Sequence, residues 1–177
     1  MSETIRTREQ AQSYLARIFP SVAEFQIVQS EYGWVCRKVL TPEEIAAGAG
    51  MGQGNYVINA QTGIVSTWGS LPPHTVAKLY DEAIRTGQPV QQNQIYPPKW
   101  RMSIQRTRED DQEIQYSIEA ISQTDPPEPG LGSYLMTIEK QTLYFSPPGP
   151  TSAHAAAWAD LQNRLNGTWP DQGTFEF

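Results

Sequence analysis

The hydrophobic pattern of the first 20 residues is that of an amphipathic helix. Thr7, followed three residues later by Gln10, has the spacing of a capping box, in which each side chain bonds to the other residue's backbone N–H. Pro20 ends the pattern, because proline cannot continue a helix. The apolar positions between these signals recur with helical spacing and form one stripe: Ala11, Tyr14, Leu15, Ile18 and Phe19.

The next segment predicts two β-hairpins with a short helix between them. Four runs are rich in β-branched and aromatic residues and are bounded by turn residues such as Gly63. Thr41 before Pro42 predicts the short helix, because a capping hydroxyl precedes a proline at the first helical position. The Gly-rich segment 48–54 ends that helix. The predicted strands cover residues 24–30, 34–40, 56–59 and 64–68.

A second amphipathic helix follows Pro72 and Pro73 and ends at Gly87, a typical C-terminal cap. Its apolar stripe consists of Val76, Leu79, Tyr80, Ala83 and Ile84. Residues 88–99 have three prolines and no periodicity, which predicts a linker. The patterns therefore predict a first unit over residues 1–87.

The order of strands and helix recurs beyond the linker. The charged turn Arg108-Glu109-Asp110-Asp111 separates the first two strands, and a helix is predicted over residues 151–165. The four strands cover residues 101–107, 113–122, 134–138 and 142–146, and the helix stripe is Ala157, Trp158, Leu161 and Leu165. A second unit is therefore predicted over residues 100–167, followed by an aromatic and acidic tail over residues 168–177.

The two halves align when Gly54 is placed on Gly132. Both segments then have Gly and Tyr at the start of a strand, prolines after the second strand and a His early in the helix. Such self-similarity predicts an internal duplication, although any hairpin–helix unit with ordinary turn chemistry would align this well. The predicted fold class is α+β, with two tandem small units, each an antiparallel sheet of β-hairpins packed against an amphipathic helix.

Charge and cysteine content narrow the function classes. The 177 residues carry a net charge of −6, from 19 acidic and 13 basic residues. This balance disfavours binding to duplex nucleic acid or to an anionic membrane. The net negative charge is suited to a basic partner, or it simply keeps the protein soluble. Cys36 is the only cysteine, so a reducing compartment fits. With no apolar signal-peptide region and no membrane span in the sequence, we expect a cytoplasmic protein.

The sequence contains no recognisable catalytic or metal-binding motif. Cys36, His74 and His154 lie far apart and lack the spacing of metal ligands. The segment 48–54 superficially resembles a phosphate-binding loop, but it precedes a strand rather than the helix N-terminus that would attract an anion. We therefore predict no catalytic, cofactor-binding or metal-binding residues, no cofactor and no enzymatic activity.

Several short motifs follow one another along the first unit: Tyr14-Leu15, Gly33-Trp34, Tyr56-Val57-Ile58-Asn59, Gly63-Ile64-Val65, Gly69 and Tyr80. In the order and spacing of these motifs, residues 7–87 resemble the immunity protein 35 family, also called the YrhB-type domain. The resemblance implies a compact α+β domain without catalytic residues. Members of this family are mostly antidotes encoded beside polymorphic or secreted bacterial toxins, and some resemble small chaperones. Residues 100–177 exceed the usual single-domain length, so they are either a degenerate second copy or a toxin-specific extension.

The resulting hypothesis is an immunity protein of bacterial competition that occludes the active site of a cognate toxin. The toxin would be encoded by a neighbouring gene, with a basic site for a nucleotide, NAD or a nucleic acid. The alternative is a chaperone-like or general protein-interaction module. The charged turn and the tail supply the candidate partner contacts, unless the turn is merely solvated and the tail packs on the body. These candidates are Glu109, Asp110, Asp111, Glu113, Trp169, Phe175 and Phe177.

Overall fold

The computed structural model describes residues 4–88, 93–130 and 132–177. It divides into two compact units, Met1–Pro97 and Pro98–Phe177. Each unit contains one five-stranded antiparallel sheet, and the described residues form four helices in total. The predicted α+β class with two small units is confirmed.

The first unit is an antiparallel meander in which each strand pairs with the next along the chain. Short hairpins produce this order, because consecutive antiparallel strands can be joined by a few residues. The elements are α1 (Arg8–Ile18), β1 (Phe25–Gln29), β2 (Gly33–Lys38), α2 (Pro42–Ala46), β3 (Asn55–Asn59), β4 (Val65–Trp68), α3 (Pro73–Thr86) and β5 (Gln94–Tyr96).

Local signals decide where the helices of the first unit begin and end. Thr7 and Gln10 form the predicted capping box at α1. Thr41 forms a second capping box, with Glu44, at α2. Gly87 ends α3 in the left-handed conformation, with φ of 63°. These three predictions from short-range spacing are confirmed.

Both faces of the first sheet are covered by helices. Trp34 and Cys36 belong to the core beneath α1, whereas Val35, which lies between them on β2, belongs to the core beneath α3. Successive side chains of a strand point to opposite faces, so α1 and α3 lie on opposite sides of the sheet. The whole first half of β2 is buried as a result.

The segment predicted as a linker contains a strand. Gln94–Tyr96 forms β5, which pairs antiparallel with β4 at the edge of the sheet. Residues 89–92 of the predicted linker lie outside the described residues. The prediction was wrong for residues 94–96, because three residues are too few for a periodicity and their partner strand lies some 30 residues earlier in the chain.

The second unit has the strand order β10-β6-β7-β8-β9. Its last strand lies within the predicted tail and pairs with β6, so the tail is an edge strand rather than an appendage. The elements are β6 (Trp100–Glu109), β7 (Glu113–Ser122), β8 (Ser133–Glu139), β9 (Phe145–Ser146), α4 (Pro150–Asn166) and β10 (Gln172–Glu176).

The face that α4 turns toward the sheet consists of small residues. The buried residues of this helix are Thr151, Ser152, Ala155, Ala156 and Ala159. The predicted stripe was therefore wrong: Ala157 is exposed, Trp158 is only partly buried, and Leu161 and Leu165 are 51% and 69% exposed. The prediction followed the largest apolar side chains, whereas the core beneath α4 is already filled by Met102, Ile104, Tyr116 and other strand residues.

The second and third strands of the two units pair in the same register at a constant shift of 80 in residue number. Gly33 pairs with Asn59 in the first unit, and Glu113 pairs with Glu139 in the second (33 to 113, and 59 to 139). The sequence alignment had used a shift of 78, which placed Tyr56 on Tyr134 rather than on Met136 (56 to 134, and 56 to 136). Both shifts are even, so they assign the same residues to the same face of the sheet.

The correspondence continues into the turns and helix ends. Gly63 and Leu143 both have positive φ, at 71° and 59°, after the third strand of their units. Gly87 and Gly167 both end the following helix in the left-handed conformation. That residues 100–167 are a duplicated copy of the first unit remains a prediction, and this shared geometry supports it.

Candidate functional site

The predicted charged turn forms the tip of the β6–β7 hairpin, and Asp110 holds its shape. The Asp110 carboxylate accepts backbone N–H groups from Glu113 at 2.8 Å and Gln112 at 3.0 Å. Arg108 donates to the same carboxylate at 2.8 Å. The Glu113 N–H contributes most to holding the pKa of Asp110 below its ordinary value. Asp110 is therefore a structural residue of the turn.

The Glu109 carboxylate also forms ion pairs within the second unit. Lys140 donates to its carboxylate at 2.7 Å, and Arg106 pairs with the other carboxylate oxygen. The Lys140 ammonium is the main cause of a lowered pKa at Glu109. Arg106 also pairs with Asp171, which precedes β10. The bases Arg106 and Lys140 thus offset much of the negative charge that the sequence concentrates here.

Asp111 and Glu113 are the acids of the turn that remain available. Both side chains are exposed, and neither forms an ion pair within the described residues. Glu113 also lies directly across from Glu139 of β8. The tip therefore presents outward negative charge on a hairpin that Asp110 and Glu109 make rigid.

The aromatic residues of the tail pack on the second unit itself. Phe175 stacks on Trp158 of α4, with ring centroids 5.1 Å apart and an interplanar angle of 8°. Phe177 stacks on His154 of the same helix at 3.7 Å. Trp169 also packs against this core and is partly buried, as are Phe175 and Phe177. Of the two roles considered for the tail, packing on the body is observed, and partner contact remains a prediction.

The structure places Cys36, the candidate nucleophile, in the core of the first unit. Cys36 is fully buried, and desolvation raises the pKa of its thiol to about 12, so the reactive thiolate does not form at neutral pH. His154 is stacked against Phe177, while His74 lies in the other unit. Among the described residues, no three His, Cys, Asp or Glu side chains are grouped closely enough to hold a metal ion.

The Gly-rich segment 48–54 does not lead into a helix. It follows the five-residue α2 and precedes β3, which begins at Asn55. A helix N-terminus is what gives a glycine loop its attraction for phosphate, and this segment lacks one. None of the helices in the described ranges is long and apolar enough to cross a membrane.

One surface feature was not predicted from the sequence. The face of the second sheet opposite α4 contains a concavity of about 530 Å³, lined by polar side chains of β6, β7 and β10. The alternation of polar and apolar residues along β7 was a signal for an open face. The participation of β10 was not recognisable, because its pairing with β6 is made between distant parts of the chain.

Residues 6–88 match the family model described as Immunity protein 35-like domain. The first unit carries an immunity protein 35-like domain. This confirms the resemblance predicted for residues 7–87. Neither the curated proteins nor the solved structures gave a match. The match ends two residues after α3, so residues 89–177 lie outside it.

Proposed function

We propose that this protein is a bacterial immunity protein that binds a cognate toxin and occludes its active site. The observation that carries the proposal is the immunity protein 35-like domain over residues 6–88. A domain of this kind implies a toxin partner in general. The proposed partner is encoded by a neighbouring gene, and the complex forms in the cytoplasm.

Inhibition by occlusion requires a surface rather than a reaction, and the features of the chain agree with this requirement. The most nucleophilic candidate, Cys36, is buried as a neutral thiol. A stable complex would bury roughly 1,600 Å² in total, an area that either unit is large enough to supply. Enzymatic activity forms no part of the proposal.

Charge gives a reason for fast capture of the toxin. Toxins that act on nucleotides, NAD or nucleic acids need basic sites, and a protein with net charge −6 would be steered toward such a site. Asp111 and Glu113 are the proposed charged contacts of the hairpin tip, while Glu109 and Asp110 keep the tip in shape. Trp169, Phe175 and Phe177 hold β10 in place and would contact a partner only with their exposed edges.

The test is co-expression of the protein with the product of the adjacent reading frame. We expect rescue of growth and a tight 1:1 complex on size-exclusion chromatography. The double variant Asp111→Asn, Glu113→Gln should slow association, more at low salt than at high salt, because screening acts over about 8 Å at physiological ionic strength. The matched control is Glu24→Gln, which removes an exposed charge from the first unit.

Two outcomes would contradict this proposal. Weak binding to many unfolded proteins, without a stoichiometric partner, would instead identify the chaperone-like alternative. Unchanged association of the double variant with a toxin that the parent protein neutralises would exclude the hairpin tip as the contact surface.

A further inference from the structure

The concavity on the open face of the second sheet is built from two cross-strand rows of side chains. The register of β10, β6 and β7 places these side chains side by side on the face opposite α4. One row consists of Gln172, Gln105 and Ser117, and the other consists of Thr174, Ser103 and Glu119.

Every side chain in these rows is a hydrogen-bonding group, and only Glu119 is charged. Within the described residues, Ser103 and Thr174 make the one side-chain bond between members of the rows, at a long 3.5 Å. Glu119 is exposed and forms neither an ion pair nor a side-chain hydrogen bond in the part of the chain that the structure describes. The concavity thus gathers one carboxylate and several amide and hydroxyl oxygens that are free to accept.

The nearest charged residues on this face of β6 and β10 are Arg101 and Glu176, in the row next to Ser103 and Thr174. Arg101 is paired across the strands with Glu176, and Glu176 accepts a hydrogen bond from Gln123 at 2.9 Å. Arg101 is two residues from Ser103 on β6, but it does not reach ion-pair distance of Glu119. The negative charge of Glu119 therefore has no counter-ion among the described residues.

We infer that this concavity receives an arginine side chain from a protein partner. A guanidinium has five donors in a planar fork and no acceptor, so it needs a carboxylate together with several neutral oxygens. Glu119 would accept two of its N–H groups, and the oxygens of Gln105, Ser117 and Thr174 lie around that position. The arginine site stands on this geometry, and only the identification of the partner as a toxin rests on the proposed function.

The first unit has different side chains at the positions that correspond to Ser117 and Glu119. The position that corresponds to Ser117 is Arg37, whose guanidinium bonds to Asn55 and to the backbone carbonyls of Ser70 and Leu71 before α3. The position that corresponds to Glu119 is Val39 (37 to 117, and 39 to 119). An arginine site would therefore distinguish the second unit from the immunity protein 35-like domain.

The test uses the full-length ¹⁵N-labelled protein and two blocked tripeptides, acetyl-Gly-Arg-Gly-amide and its citrulline counterpart. Citrulline has nearly the shape of arginine but no charge. We expect saturable amide shift changes at Ser103, Ser117 and Glu119 with the arginine peptide. Binding should be about tenfold weaker or more with the citrulline peptide, and for the arginine peptide with Glu119→Gln, because a charge-assisted pair is lost in each case.

The control is Glu24→Gln, which makes the same charge change in the first unit and should leave peptide binding unchanged. Thermal unfolding of both variants checks that the fold is retained. Equal binding of the two peptides, unchanged binding by Glu119→Gln, or shift changes confined to other residues would overturn the inference. If the arginine peptide binds here but no neighbouring toxin is neutralised, the proposed immunity function fails while the arginine site stands.

Discussion

The two units place the helix that follows their second hairpin on opposite faces of corresponding sheets. In the first unit, α3 packs over Val35 and Val57. At a shift of 80, the corresponding residues are Gln115 and Thr137, which lie on the face of the second sheet opposite α4. The helix α4 packs instead over the face of Ile138, which corresponds to the face that α1 covers in the first unit.

The strand after that helix also goes to opposite edges. In the first unit, β5 pairs with β4, whereas in the second unit, β10 pairs with β6 at the far edge of the sheet. The described residues of the second unit include no counterpart of α1, and α4 covers the apolar face of its sheet. The side on which a helix packs is thus set by which face of the sheet is apolar, and not by the position of the helix in the order of elements.

The difference between the two sheet faces can be tested by exchanging corresponding residues of β2 and β7. Val35→Gln should destabilise the first unit by about 3 kcal/mol, because the amide would be buried beneath α3 without partners. The reciprocal Gln115→Val should change stability by less than about 0.5 kcal/mol, because Gln115 lies on the face opposite α4 and loses an exposed hydrogen bond from Thr107 at 3.2 Å. Hydrogen exchange of β2 and β7 amides reports each unit separately. Similar losses in both variants would show that the two faces are equally covered.

A second variant tests the attachment of α4 to β10. Trp158 packs so closely over Gly173 that a Cβ there would overlap the indole ring. Gly173→Ala should therefore cost about 1–3 kcal/mol in the free energy of unfolding of the second unit, because the overpacked ring must move.

Gly69→Ala is the matched control, because no heavy atom lies within 4 Å of an added Cβ and the residue has no positive φ. Urea unfolding monitored by tryptophan fluorescence measures both changes. A Gly173→Ala protein as stable as the parent would mean that α4 does not lie against β10 as described.

The smallest expected effect concerns the pH dependence of the β6–β7 tip. Lys140 holds the pKa of Glu109 below its ordinary value of 4.5. A lowered folded-state pKa stabilises the fold above the unfolded value, and this contribution is lost as the pH falls through the lowered value. Lys140→Gln should raise the pKa of Glu109 toward 4.5, as measured by NMR titration of its side-chain carboxyl.

Because Glu109 is close to the surface, the effect on stability should be small and should shrink further at 1 M salt. The matched control is Lys78→Gln in α3, which should leave the titration of Glu109 unchanged. A pKa that stays equally low in Lys140→Gln would show that another group, such as Arg106, is the dominant partner.

The sequence located many residues of the candidate site, but it did not indicate which groups most of their side chains contact. The charged turn was recognised from Arg108-Glu109-Asp110-Asp111 alone, because turns depend on neighbouring residues. The commitment of Glu109 to Lys140, some 30 residues away, was not recognisable. Neither was the concavity around Glu119, since it requires three strands to meet in one register.

Four features were recognisable from the sequence alone: the capping box at Thr7, the hairpins, the glycine end of α3 and the resemblance over residues 7–87. The capping box and the glycine cap depend on contacts among residues within about four positions of one another, and each hairpin joins strands that are neighbours in the chain. These signals can therefore be recognised without knowledge of the fold. Tertiary structure decided which face each helix covers, which edge β5 and β10 join, and why Leu161 is exposed while Ala159 is buried. Those outcomes depend on apolar area and unpaired strand edges contributed by distant segments, and no local window of sequence contains both partners.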